Sequence, residues 1–89
     1  MTEVVFVTQD GCRPCLRVRK ILHDIQATRR DLEIREVRLN SDEGFELARS
    51  LGILFPPALV IRGRLFGQDE IDDGALRRAL AVRPIEVGA

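Results

Sequence analysis

The sequence lacks an excess of charge of either sign, since its 14 Lys and Arg residues balance 14 Asp and Glu residues. Proteins that bind nucleic acids carry a basic excess, so the balance argues against a nucleic-acid partner. Long apolar stretches are also missing, and no run approaches the ~20 residues that span a bilayer. The N-terminal segment MTEVVFVTQD has no basic region followed by a long apolar stretch, as a signal peptide would have. We therefore expect a cytoplasmic protein without a membrane partner.

Metal-ligating side chains are scarce, because the chain has only two cysteines and one histidine. Structural zinc takes four ligands. His23 lies two helical turns beyond Cys15, so these two residues cannot share a metal within one chain. We interpret His23 as an ordinary, partly exposed helix residue. The sequence thus gives no reason to expect a bound cofactor within a monomer.

Both cysteines lie in the stretch GCRPC, residues 11 to 15, as Cys12 and Cys15. Stable structural disulfides are uncommon in the cytosol, where a close cysteine pair more often performs redox or metal chemistry. Three interpretations stay open at this point. The pair could exchange disulfides, it could join a second copy's pair around a metal or iron–sulfur cluster, or it could be inert core.

The length of 89 residues gives room for one domain, which we assign to residues 1–89 with a tail at 83–89. Hydrophobic residues make up 45% and charged residues 31%, which is typical of a globular chain. Periodicity predicts the element order βαβαββα. The predicted strands are Val4–Thr8, Leu32–Leu39, Ala58–Ile61 and a short one at Leu65 and Phe66, the last two joined by the turn RGR.

The predicted helices begin at recognisable capping residues. The first runs from the cysteine motif to about Ala27 and buries one face, which comprises Val18, Ile21, Leu22 and Ile25. The second is capped by Asn40, turns Phe45, Ala48 and Leu51 inward and ends at Gly52. The third is capped by Asp69 and carries Ile71, Leu76, Ala79 and Leu80. A strand–helix–strand unit gives parallel pairing, and the final hairpin adds antiparallel strands, so we predict an α/β fold with a mixed four-stranded sheet flanked by helices.

The position of Cys12 favours a reactive thiolate. A strand ends there and a helix begins, and the unpaired N–H groups and dipole of a helix N-terminus favour negative charge. Arg13 and Arg17 add positive charge nearby. Cys15 lies three residues on, about 5–6 Å away on a helix, within the range of a disulfide.

These positions predict the roles of the two thiols. Cys12 attacks a substrate disulfide, and Cys15 then resolves the mixed disulfide. Pro14, between them, stiffens the segment and shifts its redox poise.

The combination of strand, CxxC, helix and a later proline before a strand resembles the thioredoxin-like superfamily. CRPC is similar to the thioredoxin motif CGPC, and RLNSD followed by LGILFPPALVI is similar to the stretch that follows in thioredoxins. The overall size is more like that of a glutaredoxin. The resemblance implies a thioredoxin-like fold and a thiol–disulfide oxidoreductase, an enzyme that is monomeric and uses no bound cofactor. Its partners would be protein disulfide substrates and a reductase that supplies electrons.

The resemblance also implies a substrate site after the second helix. There Pro57 would be a cis proline facing the cysteines, and Pro56, Pro57 and Ala58 would contact the substrate. In the family the residue before the cis proline pairs its N–H and C=O with an extended substrate, but Pro56 has no N–H. This departure counts against glutathione docking, and so against a glutaredoxin, which is a further alternative.

Other family positions carry different residues here. Gly11 stands where thioredoxins have a tryptophan, and Phe6 stands where they have a buried acid used for proton transfer. Arg38 stands at a lysine position, and we interpret it as a solvated strand residue. Asp69 could touch a substrate amine, although we favour its role as a helix cap.

Overall fold

A computed structural model describes residues 2–81, and the tail predicted at 83–89 lies outside them. The element order βαβαββα is confirmed. The elements are β1 (Thr2–Thr8), α1 (Arg13–Thr28), β2 (Leu32–Arg38), α2 (Asp42–Leu51), β3 (Ala58–Ile61), β4 (Arg64–Gln68) and α3 (Asp73–Ala81). Within the described range, no helix combines the length and the apolar character needed to cross a membrane.

The four strands form one mixed sheet in the order β2-β1-β3-β4. β1 pairs in parallel with β2, while β1–β3 and β3–β4 are antiparallel. β1 is therefore an interior strand, and its carboxyl end leads directly into the segment that carries the cysteines.

Both faces of β1 are buried from Val4 to Val7, which explains why this stretch is apolar throughout and does not alternate. Val4 and Phe6 belong to the larger core, which is shared with α1 and α3. Val5 and Val7 belong to a smaller core on the other face, against which α2 packs. The predicted layering of helices on both faces of a mixed sheet is thus confirmed.

The second helix differs from the prediction at its start. Ser41, not Asn40, caps α2, because its side-chain oxygen accepts the N–H of Gly44 at 3.0 Å. Phe45 is 64% exposed, so the prediction that it faces the core is wrong. Ala48 and Leu51 do pack against the smaller core. The helix ends as predicted at Gly52, whose φ of 74° is left-handed.

The third helix also differs from the prediction at its start, since Asp72 caps it and Asp69 does not. The Asp72 carboxylate accepts the Ala75 N–H at 2.7 Å one residue before α3 begins. Asp69 instead follows β4 with a left-handed φ of 69°, and its N–H donates to the Pro57 carbonyl. Ile71 therefore precedes the helix rather than lying on it, although it is buried as expected.

Candidate functional site

Cys12 is the residue that caps α1, and Cys15 lies in the first turn of the helix. The two residues form a disulfide, with their Cα atoms 5.3 Å apart, in agreement with the spacing expected from the sequence. The backbone N–H of Cys15 donates to Cys12 Sγ at 3.1 Å. A helix N-terminus therefore points an N–H donor at the sulfur of Cys12.

The two sulfurs differ in access. Cys15 is 2% exposed and belongs to the larger core, which also contains the fully buried Phe6. Cys12 is only partly buried and packs at the edge of that core. Gly11, just before it, has a φ of 74° and open space around its Cα, so no side chain covers Cys12 from this position. A large molecule can therefore approach Cys12 more easily than Cys15.

Pro14 and Pro57 line one cavity of about 450 Å³, which is also bordered by Arg17 and by the segment from Asp69 to Asp72. The Pro56–Pro57 peptide bond is cis, as predicted. The fold thus brings the later proline beside the cysteine motif. Pro57 itself is buried and Pro56 is partly exposed.

Ala58, the last residue of the predicted substrate site, has no exposed surface. It begins β3, pairs with Val7 and is fully buried in the smaller core. A contact between its side chain and a substrate would require the core to open. Its predicted role in substrate binding therefore stays a prediction, and only its backbone could fulfil it.

The two arginines predicted beside the cysteines have different surroundings. Arg13 is exposed and borders a second cavity of about 350 Å³ that is lined by both cysteines. Arg17 donates through Nη1 to the carbonyl oxygen of Ile71 at 3.0 Å. This bond joins the second turn of α1 to the segment before α3, a contact that the sequence did not indicate.

Arg19 also borders the cavity beside the cysteines, although the sequence analysis did not single it out. Its Nε donates to Glu36 at 3.2 Å, and its guanidinium carbon lies 5.8 Å from the centre of the Phe6 ring. The hydrogen bond to Glu36 is the main cause of a raised Arg19 pKa. The spacing i, i+4 from Cys15 could have identified Arg19, because such residues share a helix face.

Other candidate residues lie away from the disulfide or on the surface. His23 is exposed on α1. Arg38 is 64% exposed and pairs with Asp10 at 3.2 Å, in agreement with its interpretation as a solvated strand residue. Asp69 borders the cavity of Pro14 and Pro57. Across residues 2–81, His, Cys, Asp and Glu side chains form no group of three or more that could hold a metal ion.

No protein-family model and no curated protein match this chain. Solved structures do match it. An uncharacterised thioredoxin-like protein from Clostridium perfringens superposes with a TM-score of 0.76 at 17% identity, covering 91% of this chain and 69% of that one. Thioredoxin O2 from Arabidopsis thaliana, in its oxidised state, gives a TM-score of 0.73 at 15% identity, with 91% and 73% covered. Thioredoxin from Trypanosoma brucei brucei gives 0.69 at 21% identity, with the same 91% and 73% covered. The chain therefore has a thioredoxin-like fold that carries a CxxC-spaced cysteine pair.

Proposed function

We propose that this chain is a thiol–disulfide oxidoreductase that reduces protein disulfides, with Cys12 as the nucleophile and Cys15 as the resolving thiol. The fold and the cysteine spacing support a thiol–disulfide redox role in general. The observation that carries the finer assignment is the difference in access, since Cys15 is 2% exposed and Cys12 is only partly buried. A protein substrate can reach the outer sulfur first, and the inner sulfur is close enough to displace it.

The reaction proceeds by two exchanges. The Cys12 thiolate attacks one sulfur of the substrate disulfide, so that a Cys12–substrate bond forms, the substrate S–S bond breaks and the leaving thiolate takes up a proton. The Cys15 thiolate then attacks Cys12 Sγ and forms the disulfide between Cys12 and Cys15. The second substrate sulfur leaves as a thiolate and is protonated. The substrate gains two electrons, which a dithiol reductase in the cytoplasm would restore to the pair.

The surroundings of Cys12 favour the thiolate that begins this reaction. The N–H of Cys15 points at its sulfur, and the dipole of α1 adds about 0.3–1 kcal/mol in favour of a negative charge at an exposed helix N-terminus. Arg13 borders the same cavity and contributes positive charge, whereas the charge of Arg19 is offset by its pair with Glu36. We therefore expect the pKa of the Cys12 thiol to lie below that of an ordinary cysteine.

Two alternatives predict different behaviour of the purified protein. A glutaredoxin would turn over with glutathione as the electron donor, but Pro56 offers no N–H to pair with it. A cluster shared by two copies would give a coloured, metal-containing dimer, whereas a disulfide within one chain uses both thiols of the pair. Metal analysis, absorbance and a glutathione-coupled assay separate these alternatives from the proposed function.

The direct test is the reduction of insulin, a protein with disulfides, in the presence of dithiothreitol. We expect the wild-type chain to accelerate the reduction well beyond dithiothreitol alone. Cys12→Ser and Cys15→Ser should each lose this acceleration, because both thiols are needed for a complete cycle. A wild-type rate equal to that of dithiothreitol alone would refute the proposed function.

A further inference from the structure

The side chain of Gln68, the last residue of β4, holds the segment that leads to the cis proline. Its Oε1 accepts the backbone N–H groups of Leu54, at 2.6 Å, and Phe55, at 3.1 Å. Its Nε2 donates to the carbonyl oxygen of Gly52 at 3.1 Å. All three polar contacts of this one amide thus go to the backbone of residues 52–55, which belongs to neither a helix nor a strand.

The far end of the same segment is fixed by the residue that follows Gln68. The N–H of Asp69 donates to the Pro57 carbonyl oxygen at 2.9 Å, and Gln68 itself pairs with Ala58 in the sheet. The end of β4 therefore holds the whole stretch from residue 52 to residue 57 in place. Because Pro57 and Pro14 line one cavity, that stretch has a defined position relative to the cysteine motif.

The segment held in this way exposes two large apolar side chains. Leu54 is 71% exposed and Phe55 is 58% exposed, although the segment ends two residues later at the buried Pro57. Their backbone N–H groups are already bonded to Gln68, so they are not free to pair with a substrate backbone. What this part of the segment offers to a substrate is therefore apolar side-chain surface.

We propose that Gln68 is a positioning residue that holds Leu54 and Phe55 outward to contact an apolar side chain beside the disulfide of a protein substrate. The inference rests on the proposed function and narrows its substrate class. Such a surface suits a folded or partly folded protein. The cavity that both cysteines line does not include residues 54 and 55, so a small polar disulfide should gain nothing from this apolar surface.

The test compares two disulfide substrates. In Gln68→Ala we expect KM for insulin to rise about tenfold, the change produced by the loss of one good apolar contact, while kcat stays within about twofold. The rate with hydroxyethyl disulfide, a small polar substrate, should not change. Phe55→Ala should reproduce the rise in KM. Gln68→Glu keeps an acceptor for both N–H groups and should give a smaller rise.

A matched control separates this role from a general loss of structure. Gln26 also donates to a backbone carbonyl, that of Leu32 at 2.9 Å, but it lies on α1 away from the segment. Gln26→Ala should leave both substrates unaffected. Amide hydrogen exchange at Leu54 and Phe55 should speed up about tenfold or more in Gln68→Ala and stay at the wild-type rate in Gln26→Ala.

The outcomes distinguish this inference from the function on which it rests. If the wild-type chain reduces neither substrate, the proposed function fails and the inference falls with it. If the wild type reduces both, but Gln68→Ala or Phe55→Ala leaves KM for insulin unchanged, the inference alone is wrong. Equal losses on insulin and hydroxyethyl disulfide would also overturn it, since they would indicate damage to the cysteine site.

Discussion

Two glycines lie in the first turns of helices, and their surroundings differ. A Cβ atom on Gly44 of α2 would lie 2.9 Å from the Cα of Leu39 and still closer to the carbonyl oxygen of Arg38. A Cβ atom on Gly74 of α3 would meet the end of the Arg78 side chain at 3.3 Å. Backbone cannot yield easily, whereas a long side chain can rotate away. Gly44 therefore allows α2 to lie against the end of β2, and Gly74 has no such role.

Alanine at these two positions should have opposite effects on stability. We expect Gly44→Ala to lower the free energy of unfolding by about 1–3 kcal/mol, the usual cost of overpacking. Gly74→Ala should raise it by up to about 1 kcal/mol, because alanine favours a helix over glycine. Denaturant unfolding of both variants measures the difference. Equal effects at the two sites would contradict the packing that we describe for α2.

At the residue scale, the sequence predicted best where local chemistry leaves little choice. The distance between the two cysteines and the glycine that ends α2 were predicted correctly from local patterns, whereas the cis proline at Pro57 was predicted correctly from the resemblance to thioredoxins. Capping residues were harder to predict, because neighbouring polar residues compete for the same helix end. Ser41 caps α2 in place of the predicted Asn40, and Asp72 caps α3 in place of the predicted Asp69.

Contacts between distant residues could not be read from the sequence. Gln68 bonds to backbone groups that precede it by 13, 14 and 16 residues, and Arg19 pairs with Glu36 across 17 residues. No local pattern encodes such pairs, since they depend on how strands and helices are brought together. Gln68 is therefore a residue that only the folded chain reveals, whereas the position of Arg19 could be inferred from its spacing to Cys15 but its pairing with Glu36 could not.

At the scale of elements, Arg29 connects the ends of α1, β1 and α3. It follows α1, is 6% exposed and donates to the Leu80 carbonyl oxygen in the last turn of α3. It also donates to Thr2 Oγ1 at 3.0 Å and forms an ion pair with Asp31 at 2.6 Å. The carbonyl groups at a helix end have no partner within the helix, so the guanidinium satisfies one of them.

The ion pair of Arg29 and Asp31 predicts a specific pH dependence of stability. The hydrogen bond from Arg29 is the main cause that lowers the Asp31 pKa from its ordinary 3.8 to about 2. A carboxyl whose pKa is lowered by folding stabilises the folded state fully above its ordinary pKa, and this contribution is lost as pH falls through the lowered pKa. The free energy of unfolding of the wild type should therefore exceed that of Asp31→Asn at neutral pH, and the excess should shrink as pH falls from about 4 to about 2.

Thermal or denaturant unfolding across this pH range provides the measurement. Asp24→Asn, which removes one negative charge from exposed pairs with Lys20 and Arg77, controls for the change in net charge. An excess for wild type over Asp31→Asn that is the same at pH 2 and pH 7 would contradict the account of this ion pair.

The order of apolar and polar residues in β2 is also explained by the position of the strand in the sheet. Its sequence LEIREVR departs from strict alternation at Glu36, which lies opposite Phe6 in the parallel register. β2 is an edge strand, so at this point the core face of the sheet reaches solvent. Glu36 can therefore stay 42% exposed and pair with Arg19 of α1. The break in alternation at Glu36 therefore indicates that the edge of the core lies at this residue, and β2 is still a strand there.

At the scale of the whole molecule, the sequence predicted the fold class but not the strand order. A mixed four-stranded sheet follows from the order of the elements and the short hairpin between β3 and β4. That β1 lies between β2 and β3 is set by long-range pairing, which periodicity does not encode. The interior position of β1 matters for function, because the strand delivers the chain to the cysteine motif at one end of the sheet.

The central claim is that the outer sulfur attacks first and the inner sulfur resolves, and trapping a mixed disulfide tests it most directly. Reduced wild type, Cys12→Ser and Cys15→Ser would each be mixed with a disulfide-linked peptide of known mass, and the intact masses recorded. The account predicts a lasting adduct on Cys15→Ser, little or none on Cys12→Ser because Cys15 is buried, and none on wild type because Cys15 removes it. Equal adducts on the two variants, or a lasting adduct on the wild type, would contradict it.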